Sequence, residues 1–300
     1  MPRVDVLLAS HDGEQWIEAQ LRSILAQRDV DVRILVSDDA STDGTRDVVA
    51  RMAVHDERVV LLPGGTYGSA IANFLHLIRE ADVSGADAVA FSDQDDVWHL
   101  DRLARQLPRL DDADGTSGNV TAVYPRRRVL IEKHHPQRRL DFVCESAGPG
   151  STFVLSPAAF ARVREVATTD ARVDDAAQHD WLVYAIVRAA GMRWTIAEES
   201  LLDYRQHGTN VVGANVGVRS ALARLRQLRS GAFRADAARV ARIASDVAAG
   251  PLRVELAHVA ELLERDDAAA RRELAALTPE LRRRPREQRL LRAAIAVGAW

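Results

Sequence analysis

The chain has 300 residues, of which 47% are hydrophobic, and its formal net charge is −3. This length and apolar content suffice for one large core or two smaller ones, which excludes a mostly disordered chain. The charge is unevenly divided, since residues 219–300 carry 17 Arg against 10 Asp and Glu and leave −10 for residues 1–218. An acidic front argues against nucleic acid as a partner, because nucleic acid needs a positive groove.

The sequence also bears on compartment and redox chemistry. A single cysteine, Cys144, excludes an internal disulfide framework, and we expect it to be buried rather than a nucleophile. No apolar run reaches the ~18 residues that a transmembrane helix needs, and Asp5 interrupts the N-terminal stretch where a signal peptide has its apolar core. We therefore expect a cytoplasmic protein.

Residues 3–92 show four short aliphatic strands that alternate with helical patterns. The strand sequences are RVDVLLAS, DVRILVS, RVVLLP and DAVAFS, and the helical ones between them are EQWIEAQLRSILAQ, TRDVVARMAV and GSAIANFLHLIREA. This alternation predicts an α/β fold with a mostly parallel, doubly wound, Rossmann-like sheet flanked by helices. Ligands bind beyond the carboxyl ends of such strands, so the loops that follow them are the expected site.

Beyond residue 110 the pattern is less regular. We expect a Gly-rich turn into a strand in GPGSTFVLSP, a helix that begins at Pro157, and a helix in HDWLVYAIVRAAG that ends at Gly191. A strand and a loop should follow in MRWTIAEESLLDYRQHGTNVVG. From Arg219 onward apolar residues recur at helical spacing, which predicts a basic helical extension over residues 219–300.

The loop after the second strand, SDDASTDGT, contains two kinds of acidic residue. Asp43 precedes a helix, and we expect it to accept backbone N–H groups there. Asp38 and Asp39 end the strand, and a carboxylate pair at that position suits the hydroxyl groups of a nucleoside and the N–H groups of a base.

The loop after the fourth strand, SDQDD, places Asp93, Asp95 and Asp96 within four residues. Like charges this close repel unless a cation lies among them. Mg²⁺ and Mn²⁺ prefer carboxylate oxygens and leave coordination sites for phosphates, so a metal-bridged diphosphate would account for the cluster. The alternative is a solvated acidic turn. The position after the fourth strand, with an aspartate pair after the second, favours the metal.

Five motifs occur in the order found in glycosyltransferase family 2. They are LLASHDGEQWIEAQLRSILAQ, VSDDASTDGT, FSDQDDVW, HDW and YRQHGTNVVG, over about residues 3–215. They most resemble the motifs of bacterial rhamnosyltransferases of cell-surface polysaccharide synthesis. The resemblance implies a GT-A fold, a nucleotide-diphosphate-sugar donor, Mg²⁺ or Mn²⁺, inversion at the anomeric carbon, and a saccharide or lipid-linked acceptor.

This resemblance also divides the chain and implies roles for its residues. Residues 1–218 would form the catalytic domain, with a nucleotide-binding half at 1–110 and an acceptor half at 111–218. Asp180 of HDW matches the catalytic base, Asp95 the metal ligand, and His207 a further metal or diphosphate ligand. The nucleotide sugar would be bound by Ser10, His11, Glu14, Asp38, Asp39, Asp93, Gly150 and Ser151.

Several of these residues have alternative interpretations. His207 could be a loop histidine bonded to the backbone, and Asp180 a first-turn acid that the helix macrodipole favours. Trp98 and Trp181 fit a core better than a pocket wall. The family usually has Tyr-Asn where this chain has His11 and Asp12, and it also differs at Leu100, Arg102 and Ser151. The changes at His11 and Asp12 leave the base preference, thymidine or uridine, open.

The end of the extension mixes apolar and basic residues. The apolar ones are Leu281, Leu290, Leu291, Ile295, Val297 and Trp300, and the basic ones are Arg282, Arg283, Arg284, Arg286, Arg289 and Arg292. Such a segment can lie on the anionic inner face of the plasma membrane, close to a lipid-linked acceptor. Alternatively, it is a helix that packs on the catalytic domain or on a second subunit with a solvated arginine face.

Two other functions share part of the pattern. A sugar-nucleotide nucleotidyltransferase usually carries a Gly-rich loop with basic residues after its first strand, and SHDGEQW has neither. A non-catalytic nucleotide-sugar-binding module would be expected to lack Asp180 or Asp95. The predicted function is therefore an inverting, metal-dependent glycosyltransferase, with the donor sugar, the acceptor and the linkage left open.

Overall fold

A computed structural model describes residues 1–207, 231–298 and 300. These residues form two compact units that interleave along the chain. The first unit contains Met1–His134, Gly148–Asp174 and 192–207, and the second contains His135–Ala147, Asp175–Gly191 and the described residues from 231 onward. The expected domain boundary after residue 218 and the end of the YRQHGTNVVG motif lie outside the described residues.

The first unit is built on a mixed sheet, which has nine strands in the part of the chain described. The strands are β1 (Arg3–Ser10), β2 (Asp31–Asp38), β3 (Val59–Leu61), β4 (Ala88–Asp93), β5 (Val97–Trp98), β6 (Gly115–Tyr124), β7 (Arg127–Ile131), β8 (Val154–Leu155) and β9 (Trp194–Arg205). Their order is β3-β2-β1-β4-β8-β6-β9-β5, with β7 paired to β6. The four strands expected over residues 3–92 are confirmed, and they are parallel.

The direction of β9 matters for the site. β8 is antiparallel to both β4 and β6, and β6 is parallel to β9, so β9 runs in the same direction as β4. The carboxyl ends of β1, β2, β4 and β9 therefore lie along one edge of the sheet. The loops that follow these strands can meet at that edge.

Helices cover this sheet. They are α1 (Ile17–Leu25), α2 (Thr45–His55), α3 (Ala70–Glu80), α4 (Arg102–Gln106) and α5 (Pro157–Thr169). On α1, Ile17, Leu21 and Ile24 recur at helical spacing and are fully buried, as expected of an apolar stripe that faces a core. Helix α5 begins at Pro157 as predicted, and the Ser156 hydroxyl caps it by accepting the Ala159 N–H at 3.2 Å.

Helices make up most of what is described of the second unit. They are α6 (His179–Ala189), α7 (Ala232–Val247), α8 (Gly250–Glu264), α9 (Ala268–Leu281) and α10 (Pro285–Ala296). Helix α6 ends just before Gly191, whose φ of +76° suits a glycine. Among the described residues, no helix combines the length and the apolar character that crossing a bilayer requires. Cys144 is buried, as predicted.

The mixed segment at the end of the chain is divided between core and surface. Four of its apolar residues, Leu281, Leu291, Ile295 and Trp300, are buried, whereas Leu290 is 61% and Val297 74% exposed. Arg283 is buried as well, which neither interpretation of this segment anticipated. Packing within the second unit therefore accounts for most of the apolar residues.

Candidate active site

The loops after β1 and β2 hold each other by reciprocal hydrogen bonds. The Thr42 N–H donates to the Asp12 carboxylate at 2.7 Å. The Glu14 N–H donates to Asp43 at 3.0 Å, and the Gly44 N–H donates to the Glu14 carboxylate, also at 3.0 Å. Glu14, a candidate nucleotide-sugar ligand, thus connects the two loops.

Asp43 has the role expected of an acid at a helix start. Its carboxylate accepts the N–H of Thr45, the first residue of α2, at 3.0 Å, although Gly44 occupies the N-cap position itself. Burial opposes ionisation, but hydrogen bonds from the Thr45 hydroxyl and from the Glu14 and Thr45 N–H groups outweigh it and lower the pKa of Asp43.

Asp38 is fully buried, and both of its carboxylate oxygens accept hydrogen bonds from protein groups. The hydroxyls of Ser10 and Ser41 donate to Oδ1 at 3.0 and 2.6 Å, and the Ser41 N–H donates to Oδ2 at 3.1 Å. Asn73, which sequence reasoning missed, donates its amide to the carbonyls of Ser10 and Ser37, both at 3.1 Å. Asp38 and Asn73 therefore fix the carboxyl ends of β1 and β2.

Asp39 organises the loop after β3. Its carboxylate accepts the N–H groups of Tyr67 at 2.5 Å and of Gly68 at 2.9 Å. Its own N–H donates to the Ser10 carbonyl at 2.9 Å, and its carbonyl lies 2.7 Å from His11 Nδ1. Asp39 is 6% exposed, whereas His11 is exposed.

Gln94 connects the loop after β4 to the loop after β1. The His11 N–H donates to Gln94 Oε1 at 2.9 Å, and Gln94 Nε2 donates to the His11 carbonyl at 2.7 Å. A Cβ at Gly13 would lie 2.2 Å from Gln94 Oε1, so only glycine permits this approach. Gln94 lies between Asp93 and Asp95 in sequence, and this position is the one sequence signal that could have drawn attention to it.

Asp95 and His207 are brought into direct contact. His207 Nε2 lies 2.8 Å from Asp95 Oδ2. The His207 ring stacks on Trp16, with centroids 5.2 Å apart and planes 17° apart, and the Arg205 guanidinium lies 4.4 Å from the Trp16 ring centroid. The two residues for which the resemblance implies metal ligation therefore lie side by side, although they are 112 positions apart in sequence.

Asp96 directly follows Asp95 in sequence and is 1% exposed. Neither of its carboxylate oxygens has a hydrogen-bond partner in the described part of the chain. Burial, followed by the charges of Asp93 and Asp95, raises the pKa of Asp96 well above its ordinary value, while Ser151 and Arg102 oppose the rise. Burial therefore favours the neutral form of Asp96, which lies beside two further aspartates, Asp93 and Asp95.

Two further candidate residues line the buried side of this loop. Gly150 and Ser151 lie in a short 3₁₀ turn, and both are buried.

The Arg102 guanidinium stacks over the Trp98 ring at 3.6 Å, and burial lowers the pKa of Arg102 to about 9. Trp98 is 2% exposed, so it belongs to the core, as expected.

The donor set of the acidic loop fits a divalent cation. Sites that take Mg²⁺ with a phosphate ligand commonly use one or two carboxylates and fill the remaining positions with phosphate oxygens and water. Asp95, with Asp93 two residues before it and His207 in contact, offers such a partial set. Across the described residues, no group of three or more His, Cys, Asp or Glu side chains is arranged to hold a metal.

Asp180 is the candidate residue that lies in the second unit. It occupies the first turn of α6, is half-buried, and accepts the Trp181 N–H at 2.6 Å. The Trp181 indole donates to the Phe142 carbonyl at 2.9 Å and stacks on Phe233, with centroids 5.4 Å apart. Trp181 and Leu182 are 5% and 2% exposed, so both anchor the helix, and Trp181 belongs to the core as expected.

Comparison with known proteins identifies the family. Residues 5–169 match the model of the glycosyl transferase family 2. The chain is 34% identical over 245 residues to the dTDP-rhamnosyl transferase RfbG of Shigella flexneri. The aligned region covers 80% of this chain and 85% of that protein. The chain belongs to glycosyltransferase family 2. It is thus a glycosyltransferase with rhamnosyltransferase-like sequence, as the motifs predicted.

Other family members and solved structures extend this similarity. The glycosyltransferase is 30% identical over 127 residues to the UDP-Glc:alpha-D-GlcNAc-diphosphoundecaprenol beta-1,3-glucosyltransferase WfgD of Escherichia coli, over 42% of this chain and 46% of that one. It superposes on S. aureus TarS 1–349 in complex with UDP-GlcNAc with a TM-score of 0.54 at 13% identity, over 99% and 89% of the two chains. The mannosyltransferase PcManGT of Pyrobaculum calidifontis, in complex with GDP-Man and Mn²⁺, gives 0.54 at 18% identity, over 99% and 86%. The expected GT-A type fold is confirmed.

Proposed function

We propose that this glycosyltransferase moves a sugar, with inversion, from a nucleotide-diphosphate donor to a saccharide or lipid-linked saccharide in cell-envelope polysaccharide synthesis. The observation that carries the proposal is the contact between Asp95 and His207, 2.8 Å apart at the carboxyl ends of β4 and β9. The two side chains come from distant parts of the sequence and meet at the edge of the sheet where parallel folds bind ligands.

Similarity and chemistry both support the choice of donor and cofactor. The similarity to a dTDP-rhamnosyl transferase favours dTDP-rhamnose as the donor. Asp95 and His207 would hold Mg²⁺ or Mn²⁺ while Asp93 faces the donor sugar, and the bound metal would neutralise charge on the leaving diphosphate. His11, exposed next to the Asp39 carbonyl, would face the nucleoside.

The remaining steps belong to side chains of the chain itself. Asp180 would take the proton from the acceptor hydroxyl, a contribution that is typically worth roughly 10²- to 10⁴-fold in rate. Asp38 would act indirectly, because both of its oxygens already accept protein hydrogen bonds. An inverting displacement needs a single base, so a second nucleophilic carboxylate has no place in the mechanism.

The proposed acceptor suggests peripheral contact with the inner face of the plasma membrane. Leu290 on α10 and Val297 directly after it are exposed, and the exposed arginines Arg286, Arg289 and Arg292 lie on the same helix. Apolar side chains flanked by arginines suit an anionic lipid surface. The double variant Leu290→Glu/Val297→Glu should sediment less with anionic vesicles than the wild type, whereas Val254→Glu, which changes an exposed valine on α8, should not. Equal sedimentation of all three proteins would contradict the membrane contact.

A panel of nucleotide sugars tests the proposed function. Purified protein with Mg²⁺ or Mn²⁺ and a saccharide acceptor should turn over dTDP-rhamnose faster than UDP-glucose or GDP-mannose. Release of pyrophosphate from a nucleoside triphosphate and a sugar 1-phosphate would instead indicate a nucleotidyltransferase. Tight donor binding without turnover on any acceptor would indicate a binding module.

A further inference from the structure

Arg283, between α9 and α10, is a buried ion-pairing residue. Its side chain is 2% exposed, with Nη1 3.5 Å from Asp141 Oδ2 and Nη2 3.2 Å from Glu145 Oε2. Its backbone N–H also donates to Glu145 Oε1 at 2.6 Å, and Nη2 donates to the Ser146 carbonyl at 2.5 Å. One residue of the C-terminal extension thereby holds the segment from Asp141 to Ser146.

The same segment holds helix α6. The Tyr184 hydroxyl donates to the Asp141 carboxylate at 3.1 Å, and Arg188 Nη1 lies 3.3 Å from Asp141 Oδ1. Arg188 Nη1 also donates to the Tyr184 hydroxyl at 2.6 Å. Tyr184 and Arg188 follow Asp180 by four and eight residues, so all three lie along one side of the helix. Asp141 therefore connects Arg283 to the helix that begins at Asp180.

A second set of contacts reaches the first turn of α6 from the extension. Phe233 on α7 stacks on Trp181, with planes 16° apart. The Arg282 guanidinium lies 5.2 Å from the Phe233 ring centroid, and the Trp300 ring lies 6.1 Å from it. The residue next to Asp180 thus stacks on a ring that also contacts Arg282, the sequence neighbour of Arg283.

We propose that Arg283 is a positioning residue for the transfer reaction, acting through Asp141 and Tyr184 to fix the helix that carries Asp180. The inference rests on the proposed role of Asp180 as general base. A base must lie within about 2.6–3.2 Å of the hydroxyl it deprotonates, and a misplacement of about 1 Å costs on the order of 10²-fold in rate. A group that only stabilises the fold would leave kcat unchanged in protein that remains folded.

The test compares Arg283→Met with Arg283→Lys and with Arg272→Met, which makes the same change at an exposed site on α9. Arg283→Met should lower kcat by about 10- to 100-fold, with donor affinity in calorimetric titration within a few-fold of wild type. Arg283→Lys keeps the charge without the forked geometry, so it should recover part of the loss. Arg272→Met should keep wild-type kcat.

A double variant decides whether the effect passes through Asp180. If Arg283 acts by positioning the base, Asp180→Asn/Arg283→Met should be no slower than Asp180→Asn alone. Independent, multiplicative losses would overturn the proposal, as would wild-type kcat in folded Arg283→Met. If Arg283→Met does not fold at the assay temperature, Tyr184→Phe replaces it, and wild-type kcat in that variant overturns the proposal. Normal turnover by Asp180→Asn alone would instead refute the proposed base.

Discussion

Each unit contains a group of buried carboxylates, and the two groups differ in their contacts with arginine side chains. In the second unit the Arg283 guanidinium contacts Asp141 and Glu145 at 3.5 and 3.2 Å. In the first unit neither the Asp96 oxygens nor the Arg102 Nη atoms have a hydrogen-bond partner among the described residues. Buried charges that the chain pairs itself serve its structure. Under the proposed function, Asp95 and His207, which lie 2.8 Å apart, serve a cation that arrives with the substrate.

The largest expected effect concerns Asp95, the proposed metal ligand. Asp95→Asn, or a chelator added to the wild type, should lower turnover by roughly 10³-fold or more, because several kcal/mol of charge stabilisation would be lost. Turnover before and after chelation, with Mn²⁺ added back, measures it. Asp101→Asn, an exposed aspartate nearby, is the control and should behave as wild type. Full activity in excess EDTA would contradict the metal requirement.

The second expected effect distinguishes the proposed base, Asp180, from the proposed metal ligand, Asp95. Asp180→Asn keeps the side-chain shape and removes the basicity, so kcat should fall by roughly 10² to 10⁴-fold. Donor affinity should stay within a few-fold of wild type, whereas Asp95→Asn should also weaken metal-dependent donor binding. Acceptor turnover and calorimetric donor titration measure the two properties. Loss of donor binding by folded Asp180→Asn would assign this residue to the donor site.

The two groups were not equally visible in the sequence. Asp93 and Asp95 were identified because an aliphatic run, which reports a strand, ends directly before them, and parallel strands bring such ends together. Arg283 and Asp141 are 142 residues apart, and no local period relates them. Arginine is mostly exposed, so a basic, solvated or membrane-facing segment was the natural prediction. For Arg283 that prediction is wrong, because only tertiary packing places it beside two acids.

The ion pairs of Arg283 with Asp141 and Glu145 yield the third prediction. Arg283→Met should lower the free energy of unfolding by about 3–5 kcal/mol, because it removes a buried counter-charge that Asp141 and Glu145 share. Arg272→Met should change it by less than about 0.5 kcal/mol, as is usual for exposed sites. Urea denaturation followed by tryptophan fluorescence measures both. Equal unfolding midpoints for the two variants would show that the buried pairs contribute nothing to stability.

The smallest expected effect is a change in how stability depends on pH. Burial raises the pKa of Asp141 and Glu145 above the ordinary values of 3.8 and 4.5. The guanidinium groups of Arg188 and Arg283 oppose this rise at Asp141, and the Arg283 guanidinium also opposes it at Glu145. The folded protein therefore binds more protons than the unfolded chain above those ordinary values, and stability falls as pH rises through the folded-state pKa values.

In Arg283→Met one of the opposing charges is missing, so both pKa values rise further and the fall in stability continues to higher pH. Within the range from about pH 4.5 to pH 8, the difference in unfolding free energy between wild type and variant should widen once the pH passes the folded-state pKa values of the wild type, by roughly 1.4 kcal/mol for each further pKa unit. Urea denaturation at five pH values across that range measures it. Parallel curves would mean that the two carboxyl groups keep their protonation without Arg283, and that Arg188 and Arg282 supply the counter-charge instead.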